Sequence, residues 1–186
     1  LPAKVASELK EFGFAQAHKY EGVSVLFTDF KNFTQIAEQL SAEELVAELD
    51  YCFKAFDNII DKYGLEKIKT IGDAYMCAGG LPMPNQDNPK LAVQAAIEIQ
   101  DFLKKWNKQK ALEQKPSFEA RVGIHTGPIV AGVVGTKKFA YDIWGDTVNI
   151  AARMESKGET KKINISGTTY ELIKGEFDCE YRGEIE

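Results

Sequence analysis

No apolar run in this 186-residue sequence approaches the ~20 residues that a helix needs to cross a bilayer, so no membrane contact is expected from it. Basic residues are outnumbered: 23 Lys and Arg against 28 Asp and Glu give a formal charge of -5. That balance offers no surface for wrapping nucleic acid, and any polyphosphate site has to be local, built from a few cations and bound metals. Cysteine is scarce: Cys52, Cys77 and Cys179 lie far apart with no Cys-x-x-Cys spacing. They read as reduced thiols of a cytoplasmic domain rather than a disulfide or zinc framework. His18 and His125 also lack a spaced partner. His18 reads as exposed, and His125 as a satisfied structural histidine within an alternating strand. Neither Gly-x-x-x-x-Gly-Lys nor Gly-x-Gly-x-x-Gly occurs, which argues against Walker-type and Rossmann nucleotide binding. Repeats, low-complexity tracts and a signal-peptide pattern are missing too. The sequence begins at Leu1 rather than Met, and the chain reads as a fragment of something longer.

What is present is an ordinary globular balance, 44% hydrophobic and 27% charged, enough for one domain with a full core. Residues 1–20 open with a short amphipathic stretch and read as the end of a connector from an upstream module. Gly22 to Phe30 reads as a buried strand and Asn32 to Leu40 as a short helix. Ser41 and Glu44 form a capping box for a longer helix that Gly64 stops. Glu66–Thr70 and Ala74–Ala78 read as a hairpin with Asp73 near its turn, followed by a Pro-rich loop from Leu81 to Pro89. Leu91 to Leu112 is the second long amphipathic helix. Phe118 to Gly135 is expected to form a strand pair turning at Gly127-Pro128. Helices over Thr147–Ser156 and Thr168–Lys174, a strand over Lys162–Ser166 and a final strand over Phe177–Gly183 complete the pattern. The fold class expected is α+β: a ferredoxin-like βαββαβ core with extra C-terminal α/β elements. Its antiparallel sheet is flanked by helices, with those of the core on one face.

Chemistry concentrates in three segments. Val25-Leu26-Phe27-Thr28-Asp29-Phe30 and Lys69-Thr70-Ile71-Gly72-Asp73-Ala74-Tyr75-Met76 each set an aspartate among strand-like apolar residues, where an unpaired carboxylate is costly. Either alone reads equally as a turn or cap carboxylate. Both lie beside strands that are central neighbours in a ferredoxin-like sheet, which favours a shared hard-oxygen pocket for two divalent cations, Mg²⁺ or Mn²⁺. The carbonyl of Phe30 is a further candidate ligand. Such a pair suits phosphoryl transfer, because two metals can activate a hydroxyl and hold a triphosphate leaving group together. Phe33 and Thr34 open a helix whose free N–H groups suit phosphate, although any helix start shares that property. In the third segment, Tyr141 to Arg153, Asn149 and Arg153 stand four apart on one helix face. An amide and a guanidinium there can orient a ribose and stabilise charge on phosphorus, or simply form a solvated polar pair. Asp142 and Lys69 likewise read as a base-contacting pair or as a surface ion pair.

Four ordered stretches resemble the catalytic homology domain of class III nucleotidyl cyclases: residues 26–30, 69–76, 121–127 (Arg-Val-Gly-Ile-His-Thr-Gly) and 141–155. The resemblance implies that residues 21–186 are that catalytic domain and that Asp29, Asp73 and the Phe30 carbonyl hold metal. It implies that Lys69 and Asp142 select adenine. It further assigns Asn149 to the ribose, Arg153 to the transition state and Arg121 to the terminal phosphates. A lysine donates to adenine N1 and a carboxylate accepts from its 6-amino group, whereas guanylyl members carry Glu and usually Cys at these positions. The implied activity is that of an adenylyl cyclase, a phosphorus–oxygen lyase making 3′,5′-cyclic AMP and pyrophosphate from ATP for signalling. A guanylyl or mixed-specificity cyclase is the alternative, and a non-catalytic dimerisation module is a more distant one. Palm-type polymerases and diguanylate cyclases share the two-metal logic, but the Asn149/Arg153 helix and the acidic balance speak against them. Family sites form between two domains, so a homodimer with ATP at the subunit interface and an upstream regulatory domain are expected partners. No nucleic acid is expected among them. Two departures stand out: Asn32 replaces a frequent glycine, and the sequence ends at Glu186, before the triphosphate-binding lysine usual in the family, so its C-terminus is expected to be truncated.

Overall fold

Burial on both faces of the central strand organises the domain. In the computed structural model, which describes residues 1–186, the elements in chain order begin with α1 (Ala3–Phe12), β1 (His18–Phe30), α2 (Phe33–Gln39) and α3 (Ala42–Lys62). They continue with β2 (Glu66–Ile71), β3 (Ala74–Gly79), α4 (Asn88–Leu112), β4 (Ala120–Val134) and β5 (Ala140–Trp144). The chain closes with α5 (Asp146–Ser156), β6 (Ile163–Ile165) and α6 (Gly167–Ile173). The strand order β2-β3-β1-β4-β5 is antiparallel throughout, and β6 pairs with β4 in parallel. Its first four strands have the ferredoxin-like order.

The sheet has two apolar faces. Leu26 and Phe30 of β1 join Phe56 of α3, Ile99 and Trp106 of α4 and Val122 and Ile124 of β4 in the larger core. Phe30, Phe56, Phe118 and Trp106 interlock there by stacked, edge-on and tilted ring contacts. Val23 and Val25 point the other way, into a smaller cluster with Met76, Ile129, Ile143 and Ala151 of α5, against which Val5 of α1 packs. The expected one-sided arrangement therefore holds for α3 and α4, while α5 and α1 cover the opposite face. Lys69 on β2 and Asp142 on β5 form an ion pair at 2.8 Å although their strands lie at opposite ends of the order. The sheet therefore curls until its edges meet on the α5 side.

Several expectations need revision. Gly127-Pro128 is not a turn: β4 runs straight through it, and the hairpin turn to β5 comes after Val134. Pro128 is tolerated because Glu21 and Gly22 of β1 bulge opposite it, where the register jumps from Tyr20/Ile129 to Val23/Gly127. β5 was hidden in the sequence by that misplaced turn. β1 starts at His18, earlier than Gly22. α4 starts at Asn88 with Pro89 in its first turn, where the missing N–H costs nothing. The alternating residues Phe177 to Gly183 form no strand; beyond a single Lys174–Phe177 bridge no strand of the sheet pairs with them. The Ser41–Glu44 capping box is present in both directions. Cys52, Cys77 and Cys179 are all free. His18 is exposed, whereas His125 is buried with Nδ1 at 2.6 Å from Ser166 Oγ, and burial pushes its pKa down.

One glycine fixes where α5 sits. A Cβ at Gly123 of β4 would lie 2.0 Å from the Glu155 nitrogen, so the helix backbone rests directly on the strand. Gly123→Ala is expected to destabilise the domain by roughly 1–3 kcal/mol through overpacking, read as a lower Tm in thermal unfolding. Activity should fall further than stability explains, because α5 carries candidate site residues.

Candidate active site

Asp29 is the penultimate residue of β1, and Asp73 sits in the tight turn between β2 and β3, whose preceding residue Gly72 has φ +58°. Gly72 supplies the left-handed conformation that lets a two-residue connection close. The turn aims Asp73 at the end of β1, where its Oδ2 accepts from Phe30 N at 3.2 Å. Burial, and then the neighbouring Asp29 carboxylate, push Asp73 up to about 7. Two half-buried carboxylates and the Phe30 carbonyl make a hard-oxygen donor set, and the cost of holding both charges is what a divalent cation removes. The residues therefore fit Mg²⁺ or Mn²⁺. Nowhere do three His, Cys, Asp or Glu side chains converge to hold a metal unaided. The remaining coordination positions are left to main-chain oxygen, water and phosphate, as is usual for Mg²⁺.

Arg121 lies directly across from Asp29 in the β1–β4 register. Its Nη2 is 3.8 Å from Asp29 Oδ2 and 3.7 Å from Glu155 Oε1, while Nη1 reaches the Ser156 carbonyl at 3.5 Å. Its Nε is buried without a partner. Glu155 is itself buried; burial raises its pKa, and Arg121 and then a contact with Asp29 oppose the rise.

Lys69 and Asp142 form the second polar centre, with Asp142 Oδ1 also accepting from the N–H of the next residue, Ile143, at 2.8 Å. No hydrogen bond or ion pair joins this centre to Asp29 and Asp73. Asn149 and Arg153 are exposed on α5, opposite the buried Thr147, Ala151 and Glu155 stripe. Phe33 and Thr34 open α2, and Asn32 before them holds the left-handed φ of 59° that its residue type tolerates. The arrangement can thus offer cation ligands at one centre and a donor–acceptor pair at another.

The profile described as "Adenylate and Guanylate cyclase catalytic domain" matches residues 15–186. The chain belongs to this family. Among curated relatives of this class III cyclase domain, an adenylate cyclase of Mycobacterium tuberculosis is 40% identical over 186 residues, all of this chain and 41% of the relative. Guanylyl cyclase C of Homo sapiens is also 40% identical, over 188 residues, covering all of this chain and 17% of its own length. The adenylyl cyclase CyaB from P. aeruginosa superposes with a TM-score of 0.87 at 31% identity, covering 92% of this chain and 89% of that one. The cyclase domain thus spans less than half the length of the curated relatives named, and those relatives divide between two nucleotide classes.

Glu155 escaped the sequence reading. Its signal was present: Thr147, Ala151 and Glu155 share a helical stripe, and a charge on an otherwise apolar stripe calls for a partner.

Proposed function

We propose that this cyclase domain converts ATP to 3′,5′-cyclic AMP and pyrophosphate. The observation that carries the base preference is the Lys69–Asp142 pair: one strong donor and one acceptor held 2.8 Å apart. Adenine offers an acceptor at N1 and a donor at its 6-amino group, the complement of that pair. Guanine offers the reverse.

Asp29, Asp73 and the Phe30 carbonyl would hold two cations, Mg²⁺ or Mn²⁺, which when bound polarise the 3′-hydroxyl and neutralise phosphate charge. Asn149 would orient the ribose for in-line attack on the α-phosphate. Arg153 would stabilise charge on the transferring phosphorus, and Arg121 together with the α2 N–H groups at Phe33 and Thr34 would contact the terminal phosphates. No side chain is assigned as a general base.

The two polar centres do not touch within one chain, which supports a homodimer in which the acid pair of one protomer faces Lys69, Asp142, Asn149 and Arg153 of its partner. Exposed apolar residues flank both centres: Ile71 beside Asp73, and Phe139 and Trp144 beside Asp142. Such residues are what an interface would cover. No helix is long and apolar enough to cross a membrane. A regulatory domain upstream, in a longer parent protein, is part of the same reading and is supported by the greater length of the relatives.

The test is product formation with Mn²⁺ and either ATP or GTP. Cyclic AMP is expected to dominate by at least about tenfold, since one mismatched polar contact is worth about 1–3 kcal/mol. Dominant cyclic GMP would overturn the assignment of Lys69 and Asp142. Absence of either product from a purified dimer would favour the non-catalytic reading.

A further inference from the structure

Arg121 faces two carboxylates at almost equal distances, 3.8 Å to Asp29 and 3.7 Å to Glu155, and those two acids also touch each other. Neither contact is a direct hydrogen bond, so the guanidinium is shared rather than committed. The two acids differ in what holds them. Asp29 sits half-buried at a strand end, whereas the Glu155 side chain is only 8% exposed and rides on α5, whose backbone is pressed against Gly123. Glu155 is therefore the fixed partner. Every further loss of its pull on Arg121 strengthens the competing pull of Asp29, because the same Nη2 faces both.

We propose that Glu155 is a positioning residue that draws the Arg121 guanidinium toward α5 and so keeps the Asp29 carboxylate free to take a divalent cation. This rests on the cyclase reading for Asp29 and Asp73, and concerns a residue that lies against Asp29 and Arg121 rather than against any reacting atom. Arg121 and a cation compete for one carboxylate, and Glu155 sets the balance. The orphaned Nε of Arg121 fits this sharing: a guanidinium committed to either acid in a two-point geometry would use more of its donors.

The experiment is a double-mutant cycle read by Mn²⁺ binding to the nucleotide-free domain, using electron paramagnetic resonance or calorimetry. Glu155→Gln is expected to weaken Mn²⁺ binding about five- to tenfold, the scale of coupling between charged neighbours. In an Arg121→Ala background the same substitution should change binding less than twofold, because the competitor is gone. Equal losses in both backgrounds would mean that Glu155 acts through its own contact with Asp29 or on the cation, not through Arg121, and would overturn the proposal, as would no loss in either. Glu155→Asp keeps the charge and shortens its reach; it should give a partial loss, again only with Arg121 present. That variant carries the test if Glu155→Gln lowers the Tm too far for binding to be measured. A wild-type domain that binds no Mn²⁺ also overturns it. Product formation separates the outcomes: an active enzyme with an additive cycle sinks the proposal alone, whereas an inactive wild type that shows the coupling sinks the cyclase reading alone.

Discussion

Asp73→Asn is expected to abolish cyclase turnover, by roughly 10³-fold or more, while leaving the fold unchanged or slightly more stable. The amide keeps an oxygen that can accept from Phe30 N, the bond Asp73 makes at 3.2 Å, so the turn loses no support. What disappears is a negative charge that burial and Asp29 already disfavour. Removing it relieves repulsion in the metal-free protein and takes away half of the carboxylate pair. A thousandfold loss corresponds to about 4 kcal/mol of transition-state stabilisation, the scale of one lost electrostatic contact to developing charge. The measurement couples turnover with Mn²⁺ to thermal unfolding without metal. Loss of activity with an unchanged or raised Tm supports the acid pair as the cation site. Retained activity would remove Asp73 from the site, and a collapse in Tm would show that its role is structural.

Legibility of the fold followed the length over which a signal acts. The Ser41–Glu44 box, the Gly64 stop and the hairpin around Asp73 are local, and each was readable because the residues that cause them are neighbours in sequence. The failures were contextual. Gly127-Pro128 has turn chemistry, yet the bulge at Glu21-Gly22, more than a hundred residues away, decides that the strand continues. Misplacing that turn hid β5 and with it the strand that holds Asp142. Phe177 to Gly183 alternate as a strand would, but alternation does not by itself bring a partner strand alongside.

The same division runs through the site. Asp29, Asp73, Lys69, Asp142, Asn149 and Arg153 lie in contiguous motifs, and the structure brings the first two together and the second two together. The curl of the sheet that joins Lys69 to Asp142 is a tertiary property that strand order alone does not contain. Glu155 is a tertiary residue in the same sense. Its position on α5 was visible, but that its partner is Arg121 depends on how closely Gly123 lets the helix approach.

Exchanging Lys69→Glu together with Asp142→Cys is expected to shift the ratio of ATP to GTP use by about 10²-fold or more toward GTP. Each position reads one polar atom of the base, and a mismatch at one contact is worth about 1–3 kcal/mol, so two reversed contacts compound. The double change is required. Lys69→Glu alone puts a second carboxylate against Asp142, whose partner it was at 2.8 Å, and should impair both nucleotides. Asp142→Cys alone leaves Lys69 still pointing a donor at guanine's own N1 donor. The pair also ties together the two edges of the curled sheet, which raises the question of whether the exchange would undo the fold. The Lys69 side chain is 44% exposed and that of Asp142 17%, so the pair is partly screened by solvent and contributes on the order of 1 kcal/mol. The larger tie is apolar, since Ile68 on β2 packs against the smaller core that holds Ile143 on β5, and both are untouched. The double variant should therefore lose only a few degrees in Tm while its product changes from cyclic AMP to cyclic GMP. If both products fall equally, the pair serves sheet closure rather than base selection.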